Sequence, residues 1–287
     1  MKYLQYGIHD DMALEGFQEI EDFEKVIMAP LKRLNSLLGK ISENKSESLS
    51  EYIVNLESKF ESLVSKDFIE LKKIDLQERL SDLVNLKRYL KLAKLSLNYV
   101  LEGLDLPDDI DWFSERLEVT KRVFLRSLLS ARYYNILVLT ETIDRSEAIE
   151  IYKKHFVNIN REWVAENKER FQNLEEFFDD TAKRDPENPG WVGLVSEVEN
   201  GKVLIRKDTC LWAEAMLEYP DSELKFLVCC YGDYESIKVL NRHFELTMEH
   251  SIAGGHAYCD CVVYDTRIND NLDHPSDEFF ANLKPST

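Results

Sequence analysis

The chain has 287 residues, of which 44% are hydrophobic and 31% charged, as in a globular protein with a sizeable core. Asp and Glu number 54 against 36 Lys and Arg, giving a formal net charge of −18. This balance argues against binding to nucleic acid or to an anionic membrane, because both need a surplus of positive charge. A small anionic substrate needs only one local cation and is compatible with the composition.

The cysteines and the apolar segments indicate where the protein works. All five cysteines, an odd number, lie between Cys210 and Cys261, which favours a reducing compartment over a disulfide framework. No apolar run approaches the roughly 18 residues of a membrane-spanning helix, and the N-terminus lacks the apolar core of a signal peptide. We therefore expect a cytoplasmic protein that acts on a small molecule, with no nucleic-acid or membrane partner.

The first part of the chain has the pattern of amphipathic helices. Between Leu83 and Val100 the apolar residues recur in steps of three and four, which lines one face of a helix. Further helices are predicted over residues 14–38, over 48–64, from 108 to 137, and from 146 past 163. Pro30 is a candidate break in the first of them. We expect residues 1–112 to form a helical accessory region, which could support a homodimer.

After the turn-rich segment 185–190 the hydrophobic period changes from 3.6 to 2. Residues 191–198 and 202–206 flank Asn200-Gly201, a two-residue hairpin signal. A second hairpin is predicted from residues 244–252 and 257–264, with 253–256 as its loop.

The predicted fold class is therefore α+β, with the N-terminal helical region packed on a C-terminal domain of helices and an antiparallel sheet. We place that domain at residues 113–267, with short helices over 210–219 and from 223 to 230. The remaining residues, 268–287, are expected to form a polar, loosely attached tail.

The second hairpin contains the first candidate catalytic pair. If residues 253–256 form its loop, His250 faces Cys259 and Met248 faces Cys261 across the two strands. Directly opposed side chains have Cβ atoms about 4.5–5.5 Å apart. A neighbouring imidazole lowers the pKa of a thiol and makes a nucleophilic thiolate, so Cys259 with His250 is a candidate nucleophile and base. The alternative is that both are buried structural residues.

A second candidate lies in the segment Cys229-Cys230-Tyr231-Gly232-Asp233. On a helix Cys230 and Asp233 would share one face, and Gly232 could end the helix and leave Asp233 pointing into a cavity. A carboxylate near a thiol suits acid–base chemistry or the binding of a substrate nitrogen. Buried apolar cysteines beside a solvated Asp233 are the alternative.

The same thiols and imidazoles could also be read as a metal site. The available ligands are Cys210, Cys230, Cys259, Cys261, His250 and His256. Their spacing is poor for zinc, because no C-x₂-C pair is present and the two histidines flank a predicted turn. We expect no bound metal and no organic cofactor.

The order of these motifs resembles the L-2-amino-thiazoline-4-carboxylic acid hydrolase family. Cys210 opens a predicted helix, Cys230-Tyr-Gly-Asp233 follows, and the run from His250 to Asp260 is similar to that family's closing pattern of Ser/Thr, Ala-Gly-Gly and Cys-Asp. Ala131-Arg132-Tyr133-Tyr134 is similar to its helical entry. The likeness extends over about residues 115–265.

The resemblance implies a hydrolase that opens a small cyclic amidine-like ring by carbon–nitrogen bond hydrolysis, leaving an N-carbamoyl amino acid. For this reaction Cys259, His250, Cys230 and Asp233 are the candidate catalytic residues, and Cys210, His256 and Asp260 are the candidate substrate-binding residues. Either a thiolate attacks the ring carbon, or the cysteines line the pocket and Asp233 activates water. Two other readings remain: a small-molecule-binding or sensory module without turnover, and a biosynthetic enzyme that reuses the scaffold for another reaction.

Overall fold

The computed structural model describes residues 1–6, 16–166, 170–182 and 190–284 of the chain. They form two compact units, one of Met1–Gly16 with Asn160–Thr287 and one of Phe17–Ile159. The units divide the chain near residue 160. The domain boundaries at residues 112 and 267 stay a prediction. The predicted break at 185–190 lies outside the described residues except for its last position. No described helix is long and apolar enough to cross a membrane.

The described elements, in chain order, are β1 (Tyr3–Tyr6), β2 (Phe17–Ile20), α1 (Phe23–Asn44), α2 (Leu49–Glu61), α3 (Phe68–Leu71), α4 (Leu76–Leu80), α5 (Leu90–Gly103), β3 (Leu117–Thr120), α6 (Lys121–Thr142), α7 (Arg145–Glu166), α8 (Leu174–Ala182), β4 (Trp191–Ser196), β5 (Lys202–Cys210), α9 (Leu211–Glu214), α10 (Ser222–Cys229), α11 (Gly232–Leu240), β6 (Phe244–Thr247), β7 (Cys259–Asp265) and α12 (Asp277–Ala281).

The unit of residues 17–159 is largely helical, as the apolar periodicity predicts. Helices α1, α2, α5 and α6 pack on one another around fully buried side chains such as Leu34, Leu56 and Leu97. Pro30 lies inside α1, which continues to Asn44, so the predicted break is wrong. Burial of apolar side chains on both sides of the proline, Ile27 and Leu31 among them, offsets the single backbone hydrogen bond that proline removes.

Two further boundaries in this unit differ from the prediction. The predicted helix from residue 108 is interrupted by β3, which pairs antiparallel with β2, and α6 begins only after it. Thr120 caps α6, since its hydroxyl accepts a hydrogen bond from the Val123 backbone nitrogen. The helix predicted from Leu83 begins at Leu90.

The other unit is built on an antiparallel sheet, which confirms the α+β fold class. Its described strands have the order β1-β4-β5-β7-β6. The turn between β4 and β5 has positive φ at Asn200 (51°) and at Gly201 (68°), as a two-residue type I′ hairpin requires. The first predicted hairpin is therefore confirmed. The edge strand β1, from the N-terminal end of the chain, was not predicted.

A bulge between Val192 and Gly193 shifts the register of β4 against β5. Glycine is required there, because a Cβ at residue 193 would overlap the carbonyl oxygen of Arg206. Gly193 pairs with Lys207 and Lys207 with Cys259. This register fixes where Lys207 lies across the sheet.

The second predicted hairpin has the predicted register but shorter strands. Leu246 pairs with Val263 and Thr247 with Val262, in line with the expected pairing of Met248 with Cys261. However, β6 ends at Thr247, and residues 248–258 form a long loop in place of the predicted four-residue turn. The side chains beyond Thr247 therefore do not follow the strand alternation.

The two faces of this sheet carry separate cores. One face holds Cys259, Cys261 and Val263 of β7. They lie beside side chains of the neighbouring strand β6 and are covered by side chains of α8 and α11. The opposite face holds Val262 and Tyr264, packed with Leu204 and Phe280.

The C-terminal segment is not the loosely attached tail that its polar sequence predicts. Phe280 of α12 is fully buried, and its carbonyl oxygen accepts a hydrogen bond from Arg206 Nη1. Tyr264 Oη also donates to the Asp273 carbonyl oxygen at 2.7 Å. Residues 273–280 therefore cover the second face of the sheet.

Candidate active site

A cavity of about 190 Å³ lies against the cysteine-bearing face of the sheet. Its walls come from β4, β5, α8, α11, β6 and β7, and most of the side chains that line it are apolar. Among the lining residues that the structure describes, Lys207 and Asp233 are the two that carry opposite charges. Because the volume is below the roughly 300–1,000 Å³ of pockets for drug-sized ligands, the cavity suits a smaller molecule.

Lys207 reaches the cavity from β5. Val203, Ile205 and Lys207 alternate along this strand, so they share the face that packs on the main core of the unit. The Lys207 side chain is 17% exposed, and its Nζ lies 5.8 Å from the centre of the Trp191 ring. A largely buried ammonium group therefore borders the cavity.

Asp233 reaches the cavity from the first turn of α11. The structure differs here from the prediction that Gly232 ends a helix: α10 ends at Cys229, and Gly232 begins the next helix. Asp233 Oδ2 lies 3.8 Å from Lys207 Nζ. Asp233 lines the cavity, as expected from the sequence. It does so from the start of a helix, whereas the sequence suggested a position just after the end of one.

The two charges influence each other's protonation. Burial raises the pKa of Asp233, and the Lys207 ammonium opposes that rise. For Lys207, burial disfavours the charged form. At the high pH where Lys207 loses its proton, the negative charges of Cys261 and Asp233 outweigh this effect and raise the pKa of Lys207. The site therefore presents a cation together with a carboxyl group whose proton affinity is above that of a free aspartate.

The cysteines surround this cavity as neutral thiols. Cys210, Cys230, Cys259 and Cys261 are all buried in the core that carries it, and Cys261 is the one found among the described lining residues. Burial raises the pKa of Cys259 to about 11, although Lys207 opposes the rise. In the same way burial raises the pKa of Cys261 to about 12. Burial also raises the pKa of Cys210 and of Cys230.

The predicted pairing of His250 with Cys259 is wrong. His250 Nδ1 lies 2.6 Å from Asp260 Oδ2, and Asp260 is on the other face of β7 from the thiols. The cause is the early end of β6, after which the loop carries His250 to the opposite face. The Cys259 sulfur instead accepts a hydrogen bond from the Ile252 backbone nitrogen at 3.3 Å.

The remaining predicted residues lie around His250 and Asp260 or at the edge of the thiol core. Asp260 is fully buried, and its Oδ1 accepts hydrogen bonds from the backbone nitrogens of Glu249 and His250. His256 is exposed, with its ring 4.7 Å from that of His250. Cys210 is the N-cap residue of the short helix α9. The structure therefore divides the predicted site residues between the two faces of the sheet.

Within the part of the chain that the structure describes, no group of three or more His, Cys, Asp or Glu side chains is arranged to hold a metal ion. The alternative reading of the cysteines and histidines as metal ligands thus has no ligand set in these residues.

Lys207 and Trp191 are among the cavity residues that were not predicted from the sequence. The signal for Lys207 was available: it falls on the inward positions of the strand, two residues after Ile205. A lysine at such a position is unusual, because burying its charge without a partner is costly. For Trp191 no signal beyond its place in a predicted strand was present.

The fold and the site define an α+β domain whose antiparallel sheet and helices enclose a small, mostly apolar cavity, with one cation and one carboxyl group among its described lining residues. Residues 126–263 match the model of the L-2-amino-thiazoline-4-carboxylic acid hydrolase family. This match covers just under half of the chain and confirms the resemblance found in the sequence. The family description names a hydrolase of a small heterocyclic acid. Comparisons with the curated proteins and with the solved structures gave no match.

Proposed function

We propose that this protein is a hydrolase that opens a small cyclic amidine-like ring, with Asp233 as the group that activates water. The observation that carries the proposal is the placement of the Asp233 carboxyl group at the cavity wall, 3.8 Å from the Lys207 ammonium. The family match supports the reaction class, because the family is named for the hydrolysis of an amino-thiazoline ring.

The proposed reaction begins with water. Asp233 accepts one proton from the water molecule as its oxygen bonds to the amidine carbon, and the electrons of the carbon–nitrogen double bond move to the ring nitrogen. The protonated Asp233 then gives that proton to the ring nitrogen. As the hydroxyl group becomes the carbonyl, Asp233 takes up its remaining proton and passes it to the ring atom that leaves. The carbonyl group forms as that bond breaks, so that substrate and one water give one product.

The identity of the leaving atom follows from the product. Carbon–nitrogen hydrolysis breaks the bond between the amidine carbon and the ring nitrogen. In an amino-thiazoline the new carbonyl carbon would then remain bonded to the sulfur. An N-carbamoyl product instead keeps the ring nitrogen and requires the carbon–sulfur bond to break. The N-carbamoyl product and the carbon–nitrogen cleavage expected from the resemblance therefore cannot both hold for a thiazoline ring.

The surroundings of the thiols favour water over a thiolate as the nucleophile. His250, the predicted base for Cys259, is bonded to Asp260 on the opposite face of the sheet. Burial holds the pKa of Cys259 at about 11, so its thiolate is scarce near neutral pH. The cysteines then act as small apolar wall residues.

The test is turnover of 2-amino-thiazoline-4-carboxylate by the purified full-length chain, with the product identified by mass spectrometry and by a thiol reagent. Appearance of a free thiol together with a gain of one water supports ring opening at the carbon–sulfur bond. A gain of one water without a free thiol supports opening at the carbon–nitrogen bond. Binding without turnover of this or of related cyclic amidines would contradict the hydrolase and favour the binding or sensory module.

A further inference from the structure

Lys207 is a cation without a close hydrogen-bond acceptor in the part of the chain that the structure describes. Its nearest described carboxylate oxygen, Asp233 Oδ2, is 3.8 Å from Nζ, whereas a charge-assisted hydrogen bond is about 2.7–2.9 Å long. The side chain is 17% exposed, so water compensates its charge only in part. The ammonium group can therefore take up a further anionic partner from the cavity.

The charge of the whole chain makes this cation significant. At a formal net charge of −18 the long-range field of the protein repels small anions. An anion that enters the cavity must be held by a local group, and Lys207 is the cation among the described residues that line it.

We propose that Lys207 binds the carboxylate group of the substrate and thereby makes the cavity selective for small heterocyclic acids over neutral rings of the same size. This inference rests on the hydrolase proposed above and assigns a specificity-determining residue to its site.

The arrangement of the cavity explains how both ends of such a ligand would be held. The ligand's carboxylate would accept a short hydrogen bond from Lys207, whose contact with Asp233 is long. The amidine nitrogens of the ligand would donate hydrogen bonds to Asp233. A neutral ring would leave Lys207 without that short contact in a mostly apolar cavity, which is unfavourable. Trp191, whose ring lies beside the ammonium group, adds an apolar wall to this end of the cavity.

The first experiment measures binding with ligands that are not hydrolysed. The pair is 2-aminothiazole-4-carboxylate and 2-aminothiazole-4-carboxamide, which have the same ring and nearly the same size but differ in charge. Isothermal titration calorimetry on the full-length chain should show the acid binding about 10- to 100-fold more tightly than the amide, as expected for one hydrogen bond between charged groups. Equal affinities, or a preference for the amide, would overturn the proposal.

Variants connect the preference to the residue. Lys207→Met should reduce the acid-to-amide ratio to near one by weakening the binding of the acid without weakening that of the amide, and Lys207→Arg should retain part of the ratio. Lys202→Met, on the same strand but outside the cavity lining, is the control and should keep the wild-type ratio. A loss of affinity for both ligands alike in Lys207→Met, with Lys207→Arg behaving the same way, would indicate a structural role and contradict the proposal.

The kinetic readout separates this proposal from the hydrolase itself. With 2-amino-thiazoline-4-carboxylate as substrate, Lys207→Met should raise KM more than it lowers kcat. Turnover with an unchanged KM in Lys207→Met would overturn the role of Lys207 and leave the hydrolase intact. Absence of turnover, together with a charge preference that depends on Lys207, would overturn the hydrolase and leave the binding role intact.

Discussion

His250 Nδ1 lies 2.6 Å from Asp260 Oδ2, so the imidazole that the sequence predicts beside a thiol is held by a fully buried carboxylate. The same oxygen is 3.2 Å from His274 Nε2. Burial alone would raise the pKa of Asp260, but the adjacent His274 imidazole and the hydrogen bonds from His250 outweigh it and lower that pKa. In return, the hydrogen bond to Asp260 raises the pKa of His250.

This cluster predicts a defined pH window for stability. The ionised Asp260 stabilises the fold above the ordinary aspartate pKa of about 3.9, and this contribution is lost as the pH falls through the lowered folded pKa. The protonated His250 stabilises the fold below the ordinary histidine pKa of about 6.5, and this contribution is lost as the pH rises through the raised folded pKa. Both contributions are complete between about pH 4 and 6.5.

Asp260→Asn should therefore lower the free energy of unfolding by about 2–3 kcal/mol near pH 6 and flatten its dependence on pH. Urea denaturation at several pH values measures both effects. Asp273→Asn, an exposed carboxylate bonded to Asn271, is the control and should behave as the wild type. An Asp260→Asn variant with unchanged stability would show that the cluster does not hold the fold.

The packing of the C-terminal segment predicts opposite behaviour for two neighbouring phenylalanines. Phe280→Ala should cost about 3–5 kcal/mol of unfolding free energy, because Phe280 is fully buried against Tyr258 and His274. Phe279→Ala should cost much less, since 37% of Phe279 is exposed. Thermal and urea unfolding compare the two variants. A Phe280→Ala cost as small as that of Phe279→Ala would mean that the segment is attached as loosely as its composition suggests.

Cys259→Ala should retain most of the turnover. The thiol is buried and neutral near pH 7, and His250, its predicted partner, is bonded to Asp260 instead. Steady-state kinetics on the variant, with circular dichroism as a check on folding, make the measurement. Loss of turnover in a folded Cys259→Ala protein would restore the thiolate mechanism.

A proton-accepting Asp233 predicts the acid side of the pH–rate profile. Because burial raises the pKa of Asp233, kcat/KM should fall with decreasing pH at a higher value than for a free aspartate. Lys207→Met removes the cation that opposes this rise and should move the acid limb to higher pH, whereas Lys207→Arg should leave it near its wild-type position. An acid limb that does not move in Lys207→Met would place the titrating group elsewhere.

Local signals in the sequence were sufficient for much of the fold. Asn200-Gly201 predicted the first hairpin, because both residues accept positive φ. The alternation of Phe244 and Leu246 also predicted which face of β6 is buried. The register of β6 against β7, predicted by placing the turn at residues 253–256, is correct as well. Such features depend on the conformations of neighbouring residues and on the burial of one strand face.

Features that depend on where a strand ends, or on distant segments, could not be predicted in this way. Alternation beyond Thr247 suggested a longer strand, whereas the chain turns away there and moves His250 to the other face. The burial of Phe280 depends on Leu204 and Val262, which are far away in the sequence. The juxtaposition of Lys207 with Asp233 likewise joins a strand to a helix that the sequence pattern treats separately.

If Asp233 carries the proton transfer, kcat/KM for Asp233→Asn with 2-amino-thiazoline-4-carboxylate reports it most directly. Glu235→Gln, in the same first turn of α11 but outside the described cavity lining, is the matched control. We expect a loss on the order of 10²–10⁴-fold for Asp233→Asn and near wild-type activity for Glu235→Gln. An Asp233→Asn protein that hydrolyses the ring as fast as the wild type would contradict this role of Asp233.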